Sequence, residues 1–224
     1  MATNGKTCSR PCRNCKPQRK EVHGEQFCCY LPLRVRGGFF IFAMYSQKID
    51  DQFLADFAKV LNIELTVAQV NAIKLILFEC DFYGITDARM VAYILGTCYH
   101  ECRFMSIREI RARPGTAVWK MQNRYWHTGF FGRGYCQLTW EKNYRKFTPI
   151  VGVDLVANPD AALIPKIGAT ILVYGMYKGM FSGVGLTKYF PPPPAQPKWL
   201  GARRIVNGTF QADLVAKAAK KILP

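Results

Sequence analysis

The chain has 224 residues, 50% hydrophobic and 21% charged, which is the composition of a folded domain rather than a disordered one. Its formal net charge of +16 points towards polyanionic partners, namely nucleic acid, anionic lipid or an anionic cell envelope, without choosing among them. No apolar run reaches the roughly 18–20 residues of a membrane-spanning helix; the nearest, GGFFIFAMY at 37–45, is too short to span and too far in for an ordinary signal peptide.

Residues 1–43 differ from the rest of the chain. They carry eight Lys or Arg against Glu21 and Glu25, three prolines and no helical period, and read as a basic, cysteine-rich arm beside a domain over 44–224. Cys12, Cys15, His23 and Cys28 can make a four-ligand zinc set, although their spacing is irregular; otherwise no cofactor is expected. The remaining cysteines, Cys80, Cys98, Cys102 and Cys136, stand in apolar context and read as reduced core residues.

From Ser46 the pattern is helical. Phe53, Leu54, Phe57, Val60 and Leu61 recur at three and four, the spacing of one buried face. Thr66-x-x-Gln69 is a capping box opening a helix with Val70, Ile73 and Leu77 inward. Thr86-Asp87 caps a third helix, which carries Val91, Ile94, Leu95 and Cys98 towards His100-Glu101. Residues 103–137 read as loop-rich, with a short hairpin expected over 126–137. Thr139 reads as the cap of a helix through Phe147, and Asn158-Pro159-Asp160 as a cap, an N1 proline and a first-turn acid. Pro165 starts a helix that ends at Gly179, Pro191–Pro194 is a stiff connection, and Ala212 to Leu223 forms a last, lysine-studded helix. The expected class is mainly α.

Between Arg89 and Val153 the only carboxylates are Glu101, Glu109 and Glu141. Glu101 ends an apolar helix, where desolvation would keep a carboxyl protonated and able to act as a general acid; an ion pair with Arg103 or Arg108 is the alternative. Glu109, among Arg108, Arg111 and Arg113, suits a general base or a surface ion pair. Two carboxyls in contrasting surroundings are what glycoside hydrolysis requires. Glu141, in a first helical turn, reads as structural. Gln137, Thr139 and Asn143 offer amide and hydroxyl groups for sugar hydroxyls or a water, and Tyr125, Trp126, Phe130, Phe131 and Tyr135 offer stacking faces or ordinary core. His100 and His127 have no metal-ligand spacing with a third group.

Five ordered segments carry a resemblance: Tyr99-His100-Glu101, Ile107-Arg108-Glu109, the run from Phe131-Gly132-Arg133-Gly134 to Gln137-Leu138-Thr139-Trp140, Gly152 to Asp160, and Ala202 to Gly208. Together, over about Ser46 to Leu223, they resemble glycoside hydrolase family 19, which holds chitinases and lysozyme-like endolysins. The resemblance implies a lysozyme-like helical fold with a cleft for a β-1,4-linked N-acetylhexosamine polymer. It implies Glu101 as acid, Glu109 as base for inversion, and Thr139 for water positioning. Substrate contacts would come from His100, Gln137, Asn143, Asn207, Tyr135 and Phe131. Positive charge favours peptidoglycan, with chitin as the alternative and a non-catalytic binding module for an anionic polymer or nucleic acid as the second. A monomer without an obligatory protein partner is expected, held in the cytoplasm until released to act on the cell wall. Cys102 departs from the family, which usually has a hydroxyl residue after the acid. Glu109 also follows Glu101 closely, as in the endolysin branch.

Overall fold

The computed structural model describes residues 45–46 and 49–223; the arm and its zinc set lie outside the described residues. Among the described residues the chain is mainly helical, with seven α-helices and one two-stranded sheet. The helices are α1 (Asp51–Leu61), α2 (Val67–Phe82), α3 (Ala88–Cys102), α4 (Ala117–Gln122), α5 (Glu141–Val151), α6 (Pro165–Lys178) and α7 (Ala212–Ile222). The strands are β1 (Ile107–Arg108) and β2 (Arg133–Gly134).

Local chemistry sets the starts of the first three helices. The Asp50 carboxylate accepts from Phe53 N–H, Thr66 and Gln69 close the expected capping box, and Asp87 accepts from Arg89 N–H. Each interaction spans two or three residues, so each satisfies an amide that the helix leaves without a partner. On α1, Phe57 and Leu61 are buried as expected, but Val60 is 39% exposed.

Helix α3 is the centre of the domain. Met90 to Cys98 are buried without a break, so no face of that stretch meets water. It packs on α2, α6 and most extensively α7. The α7 contact is close at Gly96, where a Cβ would lie 2.8 Å from the Ala219 backbone nitrogen. Helix α6 is buried almost as fully, from Ile167 to Val173. A buried Glu79 on α2 is neutralised by Lys166 and accepts from Thr170 Oγ1 at 2.9 Å, tying α2 to α6. Cys80, Cys98, Cys102 and Cys136 are buried free thiols.

Several local expectations need correction. The Thr116-capped helix α4 lies inside the segment expected to be loop-rich. The sheet is not a hairpin within 126–137: β2 pairs antiparallel with β1, Ile107 opposite Gly134 and Arg108 opposite Arg133. Only the bridge between Arg133 and Leu138 is local. Thr139 does not cap α5; Trp140 holds that position at φ 74°, and the Thr139 hydroxyl donates to the Gln137 carbonyl at 2.9 Å. Asn158 makes no side-chain cap, and Asp160 pairs with Arg133 and Arg108 instead of serving only a helix dipole. Among the described residues no helix is long and apolar enough to cross a membrane.

Candidate active site

An open cleft of ≈ 520 Å³ contains both candidate acids together with Gln137, Thr139, Asn143 and Asn207. Six side chains chosen on sequence grounds, spread from position 101 to 207, therefore meet on one surface. Glu101 arrives from the last turn of α3, Glu109 from the end of β1, and the polar trio from the turn between β2 and α5 and the start of α5.

The short sheet explains how Glu109 is placed. Pairing of β1 with β2 continues one step further, so that Glu109 N–H donates to the Gly132 carbonyl at 2.8 Å. Gly132 N–H returns a bond to Glu109 Oε2 at 2.8 Å. The other oxygen, Oε1, accepts from Tyr125 Oη at 2.7 Å and Gln122 Nε2 at 2.8 Å. Three neutral donors thus fix this carboxylate. The expected ring of arginines is not what holds it: Arg108 pairs with Asp160 at 2.5 Å, while Arg111 donates to Asn123 and lies over Trp126. Burial, then the bond to Glu109, pushes the Tyr125 hydroxyl well above the usual phenol range, so it stays a donor.

Glu101 is also held differently from either sequence reading. Its Oε1 accepts from Nη1 of Arg203, a guanidinium only 2% exposed whose Nε also donates to the Phe210 carbonyl at 3.1 Å. Arg103 instead lies over the Tyr99 ring at 4.1 Å, and Arg108 belongs to Asp160. Glu101 is thus a carboxylate with one buried cationic partner and an open side facing the cleft, its side chain 15% exposed.

The glycine-rich turn is braced from below. The buried Arg133 donates to Asp160 Oδ1 at 2.7 Å, to the carbonyls of Gly129 and Phe131, and to Tyr144 Oη. Asp160 is lowered from the usual carboxylate range chiefly by the Arg133 bond. Gly134 takes φ 75°, and a Cβ there would lie 2.6 Å from the Ala162 carbonyl oxygen. Gln137 and Trp140 adopt left-handed backbone at φ 53° and 74° without being glycine. Such strain persists where surrounding contacts over-determine it, and it concentrates at functional sites. Gln137 Nε2 is anchored to the carbonyls of Ile107 and Gly134, both at 3.1 Å, and Asn143 Nδ2 donates to Thr139 O at 2.7 Å.

Three expected contact residues lie elsewhere. His100 Nε2 meets Gln211 Oε1 at 2.9 Å on a different surface. Tyr135 is 2% exposed and packs behind the site. Phe131 stacks on Trp126 at 4.4 Å, and the Arg133 guanidinium also lies over its ring at 4.1 Å. Conversely, sequence reasoning assigned no role to Arg203, Gln122, Arg124 or Phe181. The Ala202-Arg203-Arg204 step was the available signal for Arg203; Arg124 carries no local pattern. Glu141 pairs with Arg145 one turn on, in keeping with a structural role. Among the described residues no group of three or more His, Cys, Asp or Glu side chains could hold a metal ion.

No protein-family model and no curated protein matches the sequence. Among solved structures, a crystal structure of a chitinase C mutant overlaps 58% of this chain and 68% of its own, with 18% identity and a TM-score of 0.40.

Proposed function

We propose that this domain is an inverting glycoside hydrolase of lysozyme-like fold that cuts β-1,4 bonds in peptidoglycan. The observation that carries the reading is that Glu101 and Glu109 open on one cleft beside Gln137, Thr139 and Asn143, each carboxyl held by bonds from the surrounding protein. In this mechanism Glu101 protonates the leaving glycosidic oxygen while Glu109 takes a proton from the attacking water. The Thr139 hydroxyl spends its proton on the Gln137 carbonyl, which leaves its lone pairs to accept from that water. Gln137, Asn143 and Asn207 line the sugar path, and the Trp140 indole, 37% exposed and edge-on to Tyr125, offers an apolar face.

Arg124 supports an anionic glycan over neutral chitin. It lines the cleft, and no carboxylate pairs with it among the described residues. The free carboxylates of the stem peptides of peptidoglycan supply the missing anion, and chitin has none.

The test is product analysis on purified peptidoglycan and on chitin oligomers, with Glu101→Gln and Glu109→Gln as controls. New reducing ends from peptidoglycan, lost by orders of magnitude in both variants while the fold is kept, are expected. Near-normal turnover by either variant removes that residue from the mechanism. Release of chitin oligosaccharides alone would make the enzyme a chitinase.

A further inference from the structure

Helices α1, α3 and α7 leave between them a hollow of ≈ 420 Å³ that shares no lining residue with the cleft. Its walls include Phe53, Phe57 and Val60 of α1, Val91 and Leu95 of α3, and Ile222 of α7. Among the described residues, Asp56 and Lys221 are its only charged lining. Val60 belongs by its spacing to the buried face of α1, yet it is 39% exposed. A wall so poor in donors and acceptors does not suit a sugar, a nucleotide or an anion; it suits apolar side chains or an acyl chain.

The chain itself reaches this hollow. Tyr45, the first described residue, is part of its lining. Its position is pinned: Tyr45 N–H and Ser46 N–H donate to the Asp81 carboxylate at 3.0 and 2.8 Å, and Tyr45 Oη donates to the Thr86 carbonyl at 2.8 Å. The five residues before it, Phe40, Ile41, Phe42, Ala43 and Met44, have no hydrogen-bonding side chain beyond the Met44 thioether. They belong to the apolar run that is too short to span a membrane and too far in for an ordinary signal peptide, so neither role accounts for them.

We propose that residues 40–44 pack into this hollow as an internal strap that closes α1 against α3 and α7. The size fits: a cavity of about 150 Å³ holds a benzene ring, so the hollow takes two or three large side chains. The pattern fits as well, because Phe40, Phe42 and Met44 fall on one side of an extended segment. Five extended residues reach about 17 Å, well beyond the roughly 8–10 Å between packed helices. Continuity favours this occupant over an acyl chain or a second copy. One peptide bond joins Met44 to the lining residue Tyr45, which sets an effective concentration on the order of millimolar or above, ahead of a dilute diffusible competitor.

The experiment uses the full chain with photoreactive benzoylphenylalanine in place of Phe42, mixed with an isotope-labelled copy, and maps the cross-linked peptides by mass spectrometry. Cross-links within one copy to peptides of α1 or α3 are expected. Cross-links between labelled and unlabelled copies would make a second copy the occupant, and transfer to added phosphatidylcholine vesicles in place of the helices would make it lipid; either overturns the proposal. Amide hydrogen exchange supplies the second measurement. Exchange in α1 should accelerate at least tenfold in Phe40→Ser/Phe42→Ser and in Val60→Lys, a substitution at a part-exposed wall position, and less than threefold in the control Leu31→Ser/Leu33→Ser. Combining the strap and wall substitutions should add less than threefold to either alone, because both remove the same contact. Unchanged α1 exchange in the strap variant, or fully multiplicative effects in the combination, would overturn the docking.

Discussion

The Arg203 guanidinium reaches the Glu101 carboxylate across 102 positions of sequence, and it does so from a buried site while Glu101 opens to the cleft. Removing one member of a buried pair leaves the other without compensation, at a cost of about 3–5 kcal/mol when both are fully enclosed. Because Glu101 retains access to water, Arg203→Met should fall lower, at about 2–3 kcal/mol, and should abolish hydrolysis by freeing the Glu101 side chain. Urea unfolding with a parallel activity assay checks this. A wild-type midpoint would show that the pair contributes little to the fold.

Gly132 sits between the two halves of the proposed site. A Cβ there would lie 2.7 Å from Gln137 Oε1 and 3.2 Å from Glu109 Oε2. The Gln137 amide is a side-chain end that can move, but Glu109 Cβ, also 3.2 Å away, is tied to the backbone, so Gly132→Ala should cost about 1–3 kcal/mol of stability. Their displacement should lower hydrolysis at least tenfold, because misplacement by a fraction of an ångström disrupts positioned acid–base chemistry. Activity within twofold of wild type would mean that neither contact matters to turnover.

What is legible in the sequence depends on how far apart the interacting residues lie. Thr66-Gln69 and Asp87 declare themselves because a cap and its target lie within three residues. The cleft position of Glu101, Glu109, Gln137 and Thr139 is readable from ordered motifs. Their supports are not: the donors to Glu109 come from Gln122 and Tyr125 on the far side of a long connection, and Arg203 comes from near the other end of the domain. Thr139 misleads for a different reason. Thr followed by an acid two residues later looks like a cap, but the left-handed backbone at Trp140 turns its hydroxyl back to Gln137. That conformation has no sequence signature in a tryptophan.

Arg124 should separate substrates rather than set turnover. Arg124→Gln is expected to raise KM for peptidoglycan about tenfold, the loss of roughly one charge-assisted hydrogen bond, with little change for uncharged chitin oligomers. Parallel loss on both would place Arg124 in general positioning instead.

Alkaline pH should weaken the fold. Burial pushes the Tyr144 hydroxyl up to about 12, and pushes Tyr93, Tyr125 and Tyr135 in the same direction. The unfolded chain releases these protons from about pH 10. The stabilisation is therefore full below pH 10 and is lost as pH rises through the folded-state values, by up to about 1.4 kcal/mol per unit for each such tyrosine. Buried Cys80 and Cys98, also raised by burial, add to the same trend from a slightly lower pH. Urea midpoints at pH 8, 10 and 11 should fall progressively; a midpoint constant to pH 11 would contradict the burial of these groups.

The tight seam between α3 and α7 at Gly96 has a consequence for the protein's history as it is made. Both carboxylates are synthesised by position 109, yet the guanidinium that holds Glu101 comes only at 203, Asn207 follows it, and the helix that covers α3 ends at Ile222. A growing chain on the ribosome would therefore carry its acids through the synthesis of residues 110–222 without an assembled cleft. The cleft would assemble only when α7 emerges and seats Ala219 against Gly96.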